Sequence, residues 1–254
     1  GLDSILFPGY GIANLQSGSD SNRTGSSLAY GANPNHSHYD QLNMVFFAHG
    51  AALLTDLGYP DQMDGFNPRL TGYHNNTIAH NTVTVDAKKQ GRKPGTIHAF
   101  LKNRFAQVAD VSCEGAYEDT VSLYRRVNMM VEVTPQHSYL FDVFYVRGGK
   151  QHDWALHGTQ ADFACTPPLG PVQTQGTLAG ADVPYSEMYD DPTMKGKPIG
   201  SVNYTPYAGS GFQFLTNVQR APLNGYAHCD WNLTEPNEGK SSGRPWRGIA
   251  LRAH

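Results

Sequence analysis

The stretch SYLFDVFYVRGG, residues 138–149, is the most strongly apolar part of the chain and decides the fold class. Aromatic and aliphatic side chains occupy nearly every position of residues 139–146, where Asp142 is the one charged residue. Alternate side chains of an extended strand point to opposite faces, so both faces of this strand are largely apolar. This residue pattern is typical of a strand that is covered on both faces. We therefore predict a long strand, buried on both faces, that ends at Gly148 and Gly149.

Short stretches rich in β-branched and aromatic residues recur on either side of it. They lie at residues 5–7, 12–15, 82–85, 100–111 and 211–218. Such residues favour strands, whereas the 27 Gly and 16 Pro among the 254 residues favour turns between strands. The sequence shows no repeat and no amphipathic helical stretch. This pattern predicts an all-β fold, a large antiparallel β-sandwich.

Two regions are less regular. Residues 42–47 and 51–54 are apolar runs on either side of His49 and Gly50, and they fit either a hairpin or a single helix. Residues 159–210 are rich in Gly, Pro and Thr and contain few apolar runs, which predicts extended loops.

Composition and charge exclude several classes of function. The chain has 19 Lys and Arg against 22 Asp and Glu, so it has no overall basic field for binding nucleic acid, although this average leaves room for a local basic patch. It has no run of about 18 apolar residues, and we expect no membrane-spanning helix. Cys113, Cys165 and Cys229 lie far apart without a CxxC pair, so their spacing defines neither a metal site nor a disulfide framework.

Three blocks of sequence contain residues that commonly bind metal ions. The blocks are NHSHYDQL at residues 35–42, LLTDLGYP at 53–60 and TIAHNTVTVD at 77–86. Zinc takes about four ligands, and separate strands can supply its imidazole nitrogens and carboxylate oxygens. His38, Asp56 and His80 are suitable. His36 lies two residues before His38 and would face the same pocket from an extended strand. Each histidine taken alone fits an ordinary hydrogen-bonded role as well.

These blocks, in this order, resemble the β-sandwich domain of the heparinase II/III-like polysaccharide lyases, a family that includes heparinase II and exo-acting alginate lyases. The resemblance continues through YRRVNMM, SYLFDVFYVRGG and HDWALHG and covers roughly residues 7–158. It implies a zinc ion bound by His38, Asp56 and His80, and a catalytic role for His36. The family also uses a tyrosine between the zinc-binding Asp and the second zinc-binding His. That residue is Tyr73 in our prediction, with Tyr59 as the alternative.

The activity that this resemblance implies is β-elimination next to a uronic acid. A base removes the proton beside the carboxylate, negative charge builds on that carboxylate, and an acid protonates the departing glycosidic oxygen. His36 is expected to stabilise the developing charge. Tyr73 is expected to transfer a proton, with nearby positive charge lowering its pKa from about 10. Zinc would hold both residues near the sugar without activating water.

The resemblance also implies that the protein has a further domain. In the family an N-terminal α/α toroid precedes the sandwich and contributes further active-site residues. We therefore expect residues 1–254 to be a single β-sandwich region that lacks the toroid, either the C-terminal part of a longer lyase or one of two chains. Residues 1–158 would form the zinc-binding core, and residues 159–254 the remaining strands and long loops.

The expected substrate is a uronic-acid polysaccharide or oligosaccharide, either alginate-like or a glycosaminoglycan. The pI near 6.4 favours an unsulfated polymer. The family resemblance implies a periplasmic or extracellular location.

Two other functions remain open at this point. A zinc-dependent hydrolase could use the same three ligands to lower the pKa of a bound water. A carbohydrate-binding sandwich without activity could stack sugars on Trp154, Trp231 and Trp246. Only the lyase yields an unsaturated uronate that absorbs ultraviolet light.

Overall fold

The computed structural model of the chain describes residues 3–19, 22–32, 38–58, 64–159, 162–232 and 249–253. Its strands are β1 (Ile5–Phe7), β2 (Ile12–Ser17), β3 (Thr24–Ala29), β4 (Met44–Ala48), β5 (Ala51–Leu54), β6 (Val83–Val85), β7 (Thr96–Lys102), β8 (Ala106–Ser112), β9 (Val121–Thr134), β10 (His137–Gly148), β11 (His152–Trp154), β12 (Asp162–Thr166), β13 (Ala227–Asn232) and β14 (Ile249–Ala253). Within these residues the helical structure is limited to short turns at Leu70–His74, Thr77–Ala79, Glu114–Tyr117 and Phe212–Phe214. None of the described helices has the length and apolar character needed to cross a membrane.

Two antiparallel sheets form the body of the fold. One has the order β1-β2-β3-β4-β5 and the other the order β10-β9-β8-β7, and strands β2 and β3 pack against β8 and β9. The core between them contains Leu15, Leu28, Met44, Val111 and Met130, all buried. Smaller sheets, β11-β6 and β12-β13-β14, complete the described structure. The predicted all-β antiparallel sandwich is confirmed, and the described residues contain no α/α toroid.

The segment that the sequence left undecided is a hairpin. Strands β4 and β5 pair antiparallel, with Ala48 opposite Ala51. The two residues between them, His49 and Gly50, have φ angles of 52° and 81°. Positive φ at both central residues matches the twist of the flanking strands and is the usual geometry of a two-residue hairpin. This hairpin carries the chain directly into the segment that contains Asp56.

Strand β10 departs from the prediction that both of its faces are buried. Leu140, Phe144 and Val146 pack against the core, but Tyr139 and Phe141 on the opposite face are 52% and 53% exposed. The strand lies at the edge of its sheet, and within the described residues that sheet is covered on one side. The prediction was wrong for the outer face, because an apolar strand pattern does not reveal whether a second layer is present.

Residues 211–218 do not form the predicted strand. Phe212, Gln213 and Phe214 form a turn of 3₁₀-helix in which all three consecutive side chains are buried, which an alternating strand could not achieve. Gly211 begins the turn with a φ of 76°, and a Cβ there would lie 2.5 Å from the carbonyl oxygen of Gly72. The turn therefore packs directly on the helical turn Leu70–His74. The expectation of extended loops over residues 159–210 is confirmed for residues 167–210 but was wrong for Asp162–Thr166, which form strand β12 by pairing with β13.

Two of the three cysteines, whose spacing defines no disulfide framework, are joined in the structure. Cys165 on β12 lies opposite Cys229 on β13, and the two form a disulfide with a Cα–Cα distance of 4.2 Å. Their 64-residue separation gives no signal in the sequence, because the strand pairing that joins them is a tertiary contact. Cys113 is a buried free thiol, and burial raises its pKa to about 11.

A buried arginine connects the sandwich to the segments that carry the candidate site. Arg126 on β9 is fully buried, and its guanidinium donates two hydrogen bonds to Asp142 on β10, at 2.8 and 2.7 Å. The same guanidinium donates to the carbonyl oxygens of Leu42, at 2.7 Å, and of Asn81. These residues precede β4 and β6. The arginine therefore fixes both segments against the second sheet.

Candidate metal centre

The three predicted ligands come from three different segments that meet at one end of the sandwich. His38 precedes β4, Asp56 follows β5, and His80 follows the turn Thr77–Ala79. Nδ1 of His38 lies 2.9 Å from Nε2 of His80. The same Nε2 atom of His80 lies 3.6 Å from Oδ2 of Asp56. The three candidate ligand atoms all lie within 4.8 Å of one another. Both imidazoles are buried, and the carboxylate is partly exposed.

This donor set fits a zinc ion. Zinc–nitrogen and zinc–oxygen bonds of about 2.0–2.1 Å place tetrahedral ligand atoms about 3.3 Å apart. The 2.9 and 3.6 Å separations lie on either side of that value. Two imidazoles and a carboxylate leave one position of a tetrahedron open, as in sites that admit a further ligand. His38, Asp56 and His80 can therefore hold one divalent cation.

The backbone carbonyl of Asn76 fixes the orientation of the His80 ring. Nδ1 of His80 lies 2.8 Å from the carbonyl oxygen of Asn76, which can only accept a hydrogen bond. Nδ1 therefore carries the proton, and the Nε2 lone pair faces His38 and Asp56. The buried side-chain amide of Asn76 donates to the carbonyl oxygens of Gly72 and Gly209, both at 3.0 Å. These bonds hold the carbonyl that selects the tautomer.

The Asp56 carboxylate is held by a second asparagine. Nδ2 of Asn43 donates to Oδ2 of Asp56 at 2.8 Å, and the backbone N–H of Gly58 donates to Oδ1 at 2.7 Å. Oδ1 of Asn43 accepts from the backbone N–H of Asn81 at 2.9 Å. Asn81 is itself fully buried, and its Oδ1 accepts from the backbone N–H of His157 at 2.6 Å. A chain of amides thus joins Asp56 to the segment that carries His80.

The electrostatic environment favours the neutral form of the two candidate ligand histidines. Burial is the main cause that lowers the pKa of His38, and the neighbouring His80 adds to it. Burial likewise lowers the pKa of His80, against the opposing charge of Asp56. The neutral imidazole is the form that binds metal ions. Asp40, two residues after His38, has a pKa raised to about 6, chiefly by burial.

His74 is a further histidine near this centre, and it was not predicted from the sequence. The charge of His74 acts on both His38 and His80 and would lower the pKa of each, which places its ring close to the predicted ligands. Burial lowers the pKa of His74 itself. Of the two histidines in the HDWALHG block, His157 lies at the site but donates from Nε2 to the carbonyl oxygen of Ile78 at 2.8 Å, a structural role. His152 is exposed.

Of the three residues predicted as catalytic, only Tyr73 lies within the described structure. His36 and Tyr59 lie outside the described residues. Tyr73 lies on the turn Leu70–His74, with its ring centroid 6.2 Å from that of Phe214. Burial raises the pKa of Tyr73, and the charge of Arg69 only partly opposes that rise. The expected lowering of this pKa was therefore wrong for the residues described.

Comparison with known proteins gives one family and a set of similar structures. The family described as "Heparinase II/III-like, C-terminal" matches residues 3–157. Twenty-four solved chains match the structure. One, "Heparinase III-BT4657 gene product", is 18% identical with a TM-score of 0.55, over 68% of this chain and 27% of that one. Its methylated-lysine form has a TM-score of 0.51 at 17% identity, over 64% and 25% of the two chains.

A mutant of the heparan sulfate lyase HepC from Pedobacter heparinus also matches, with a TM-score of 0.48 at 17% identity, over 56% of this chain and 22% of that one. No curated protein sequence matches. The chain spans about a quarter of the length of the structures it matches, and at these identities the likeness shows the fold alone. The family match covers more than half of the chain. This chain therefore belongs to the heparinase II/III-like family, in the part that corresponds to the C-terminal β-sandwich domain.

Proposed function

We propose that this chain is the β-sandwich part of a zinc-binding polysaccharide lyase that cleaves uronic-acid-containing polysaccharides by β-elimination. The observation that carries the proposal is the convergence of His38, Asp56 and His80, with ligand atoms within 4.8 Å of one another, in a chain of the heparinase II/III-like family. The name of two similar structures, heparinase III, supports an acidic polysaccharide as the substrate class.

The three ligands are proposed to have a positioning role. When bound, zinc would supply positive charge and a fixed point that joins the segments before β4, after β5 and before β6. An elimination consumes no water at the cleaved bond, so the reaction does not need a metal-activated water. The side-chain amide of Asn43 holds Asp56, and the backbone carbonyl of Asn76 holds His80. Both contacts would keep these segments in register with the sugar.

Side chains of this chain and of the toroid would carry out the chemical steps. The proton beside the uronate carboxylate is removed, its electron pair forms a carbon–carbon double bond, and the bond to the glycosidic oxygen breaks. His36 is proposed to stabilise the charge that builds on the carboxylate. Because burial raises the pKa of Tyr73, its phenol stays protonated at neutral pH and suits the donor to the departing oxygen. We expect the proton acceptor to come from the α/α toroid.

The proposed setting is the periplasm or the cell exterior. The Cys165–Cys229 disulfide supports it, because structural disulfides persist in oxidising compartments. The proposed partner is an upstream α/α-toroid domain, in the same or a separate chain. Among acidic polymers, the formal charge of −3 favours an unsulfated, alginate-like polysaccharide.

An absorbance assay tests this function. The protein together with its toroid is incubated with a panel of uronate polysaccharides, and ultraviolet absorbance and new reducing ends are followed in parallel. We expect both to rise together, because each elimination creates one unsaturated uronate and one new chain end. New chain ends without absorbance would identify a hydrolase, and polysaccharide binding without new chain ends would identify a binding module. Either result contradicts the proposal.

A further inference from the structure

Two cations share one aromatic ring beside the candidate metal centre. Tyr39 follows His38 directly in the chain, and its ring centroid lies 4.2 Å from Nζ of Lys89 and 4.1 Å from Cζ of Arg92. Both distances are within the range of cation–π contacts. Lys89 and Arg92 are each partly buried, unlike their exposed neighbours Lys88 and Lys93. The ring therefore holds both charges in one place.

The backbone that carries this cation pair is firmly anchored. Gln90, between the two cations, is buried, and its Oε1 accepts from the backbone N–H of Gln41 at 2.6 Å. Its Nε2 donates to the hydroxyl of Tyr124 at 2.6 Å and to the carbonyl oxygen of Gln41 at 3.2 Å. The backbone N–H of Lys89 donates to the carbonyl oxygen of Ala208 at 3.0 Å. The cation pair is thus built into the fold and is not a chance meeting of surface chains.

Neither cation has an ion-pair partner in the described part of the protein. None of the ion pairs within 4.0 Å in that part involves Lys89 or Arg92. Nε of Arg92 is buried and has no hydrogen-bond partner among the described residues. Burial, together with the charge of Arg92, lowers the pKa of Lys89 to about 8. Two partly buried like charges raise the free energy of the site unless an anion joins them.

We propose that Lys89 and Arg92 bind the carboxylate of a uronate unit of the substrate, beside the metal centre. This inference rests on the proposed function and names the residues that would select an acidic sugar. A guanidinium fork binds a carboxylate through two parallel hydrogen bonds, and an ammonium group adds a point charge. Asp40 is a competing acid whose charge acts on Arg92, but it forms no ion pair with Arg92 within 4.0 Å in the described part.

The test compares two oligosaccharides that differ only at the carboxylate. Binding of an unsulfated uronate oligosaccharide and of its carboxyl-reduced form, in which each carboxylate is a primary alcohol, is measured by calorimetry on the full protein. We expect wild type to prefer the acidic form by about tenfold or more. The double variant Lys89→Gln, Arg92→Gln should lose that preference and bind the reduced form as wild type does. The control, Lys88→Gln with Arg104→Gln, removes the same charge from exposed positions and should keep the preference.

The outcomes separate this inference from the proposed function. If wild type prefers the acidic sugar and the Lys89, Arg92 variant keeps that preference, the inference is wrong while the proposed function stands. Equal losses for both sugars would show a structural role and also overturn it. If wild type neither prefers nor cleaves any uronate, the proposed function and the inference fail together.

Discussion

Replacing Tyr73 with Phe is expected to lower the rate of uronate elimination by about 10²–10⁴-fold, the usual contribution of a positioned general acid. The substitution removes only the hydroxyl, so the contact between the Tyr73 and Phe214 rings, with centroids 6.2 Å apart, should persist. Because Tyr73 is not among the three candidate ligands, metal content should not change. The measurement is the initial rate of ultraviolet absorbance on the best polysaccharide of the panel, with metal content determined on the same preparation.

Two further tyrosine variants serve as controls. Tyr185→Phe removes a hydroxyl from a ring that packs on the same Phe214, with centroids 5.6 Å apart, and should leave the rate nearly unchanged. Tyr59→Phe decides between the two tyrosines that the sequence offers. If Tyr59→Phe abolishes elimination and Tyr73→Phe does not, the proton donor is Tyr59. Full activity in both variants would show that neither Tyr59 nor Tyr73 takes part in the mechanism.

Replacing Arg126 with Ala is expected to destabilise the protein by about 3–5 kcal/mol, because it leaves the Asp142 carboxylate without its buried partner. The arginine side chain is 0% exposed and also donates to the carbonyl oxygens of Leu42 and Asn81. Those two acceptors lose their hydrogen bonds in the variant, which adds to the cost. The free energy of unfolding is measured by urea titration followed by circular dichroism.

The adjacent arginine provides a matched control. Arg125 forms an ion pair with Asp110, but its side chain is 39% exposed. Water and salt screen such a pair, so Arg125→Ala should destabilise the protein much less than Arg126→Ala does. Similar losses in the two variants would show that Arg126 does not have the stabilising role assigned to it. A combined Arg126→Met, Asp142→Leu variant should recover most of the loss, since it removes both charges together.

Much of the fold could be predicted from local sequence. The runs at residues 5–7, 12–15 and 82–85 all lie in or beside strands, because β-branched and apolar residues favour extended backbone in nearly any setting. Residues 42–54 could not be assigned from periodicity alone. The hairpin there depends on positive φ at His49, which is an uncommon conformation for a residue other than glycine.

The errors concern features that depend on distant parts of the chain. The outer face of β10 is apolar in sequence whether or not a second layer covers Tyr139 and Phe141. The disulfide depends on the pairing of β12 with β13, which brings together cysteines 64 residues apart. The turn Phe212–Phe214 is buried because it packs on Leu70–His74, a contact that neither segment encodes alone.

The candidate site likewise contains some residues that the sequence predicts and others that it does not. His38, Asp56 and His80 could be predicted as candidate ligands because imidazole and carboxylate side chains are distinctive metal ligands and their blocks occur in a family order. The asparagines that hold them were missed, since amide side chains occur in most loops and have no characteristic spacing. Lys89 and Arg92 were hidden by the nearly balanced overall charge, which reveals nothing about two cations gathered on one ring.

The metal content of the purified protein shows whether His38, Asp56 and His80 form a metal centre. Elemental analysis and calorimetry should give one tightly bound zinc per chain, and His80→Ala or Asp56→Ala should abolish that binding while the fold is retained. His152→Ala, at an exposed histidine outside the site, should bind zinc as wild type does. Stoichiometric zinc in the His80→Ala and Asp56→Ala variants, or no zinc binding by the folded wild type, would contradict the claim that these three side chains form a metal centre.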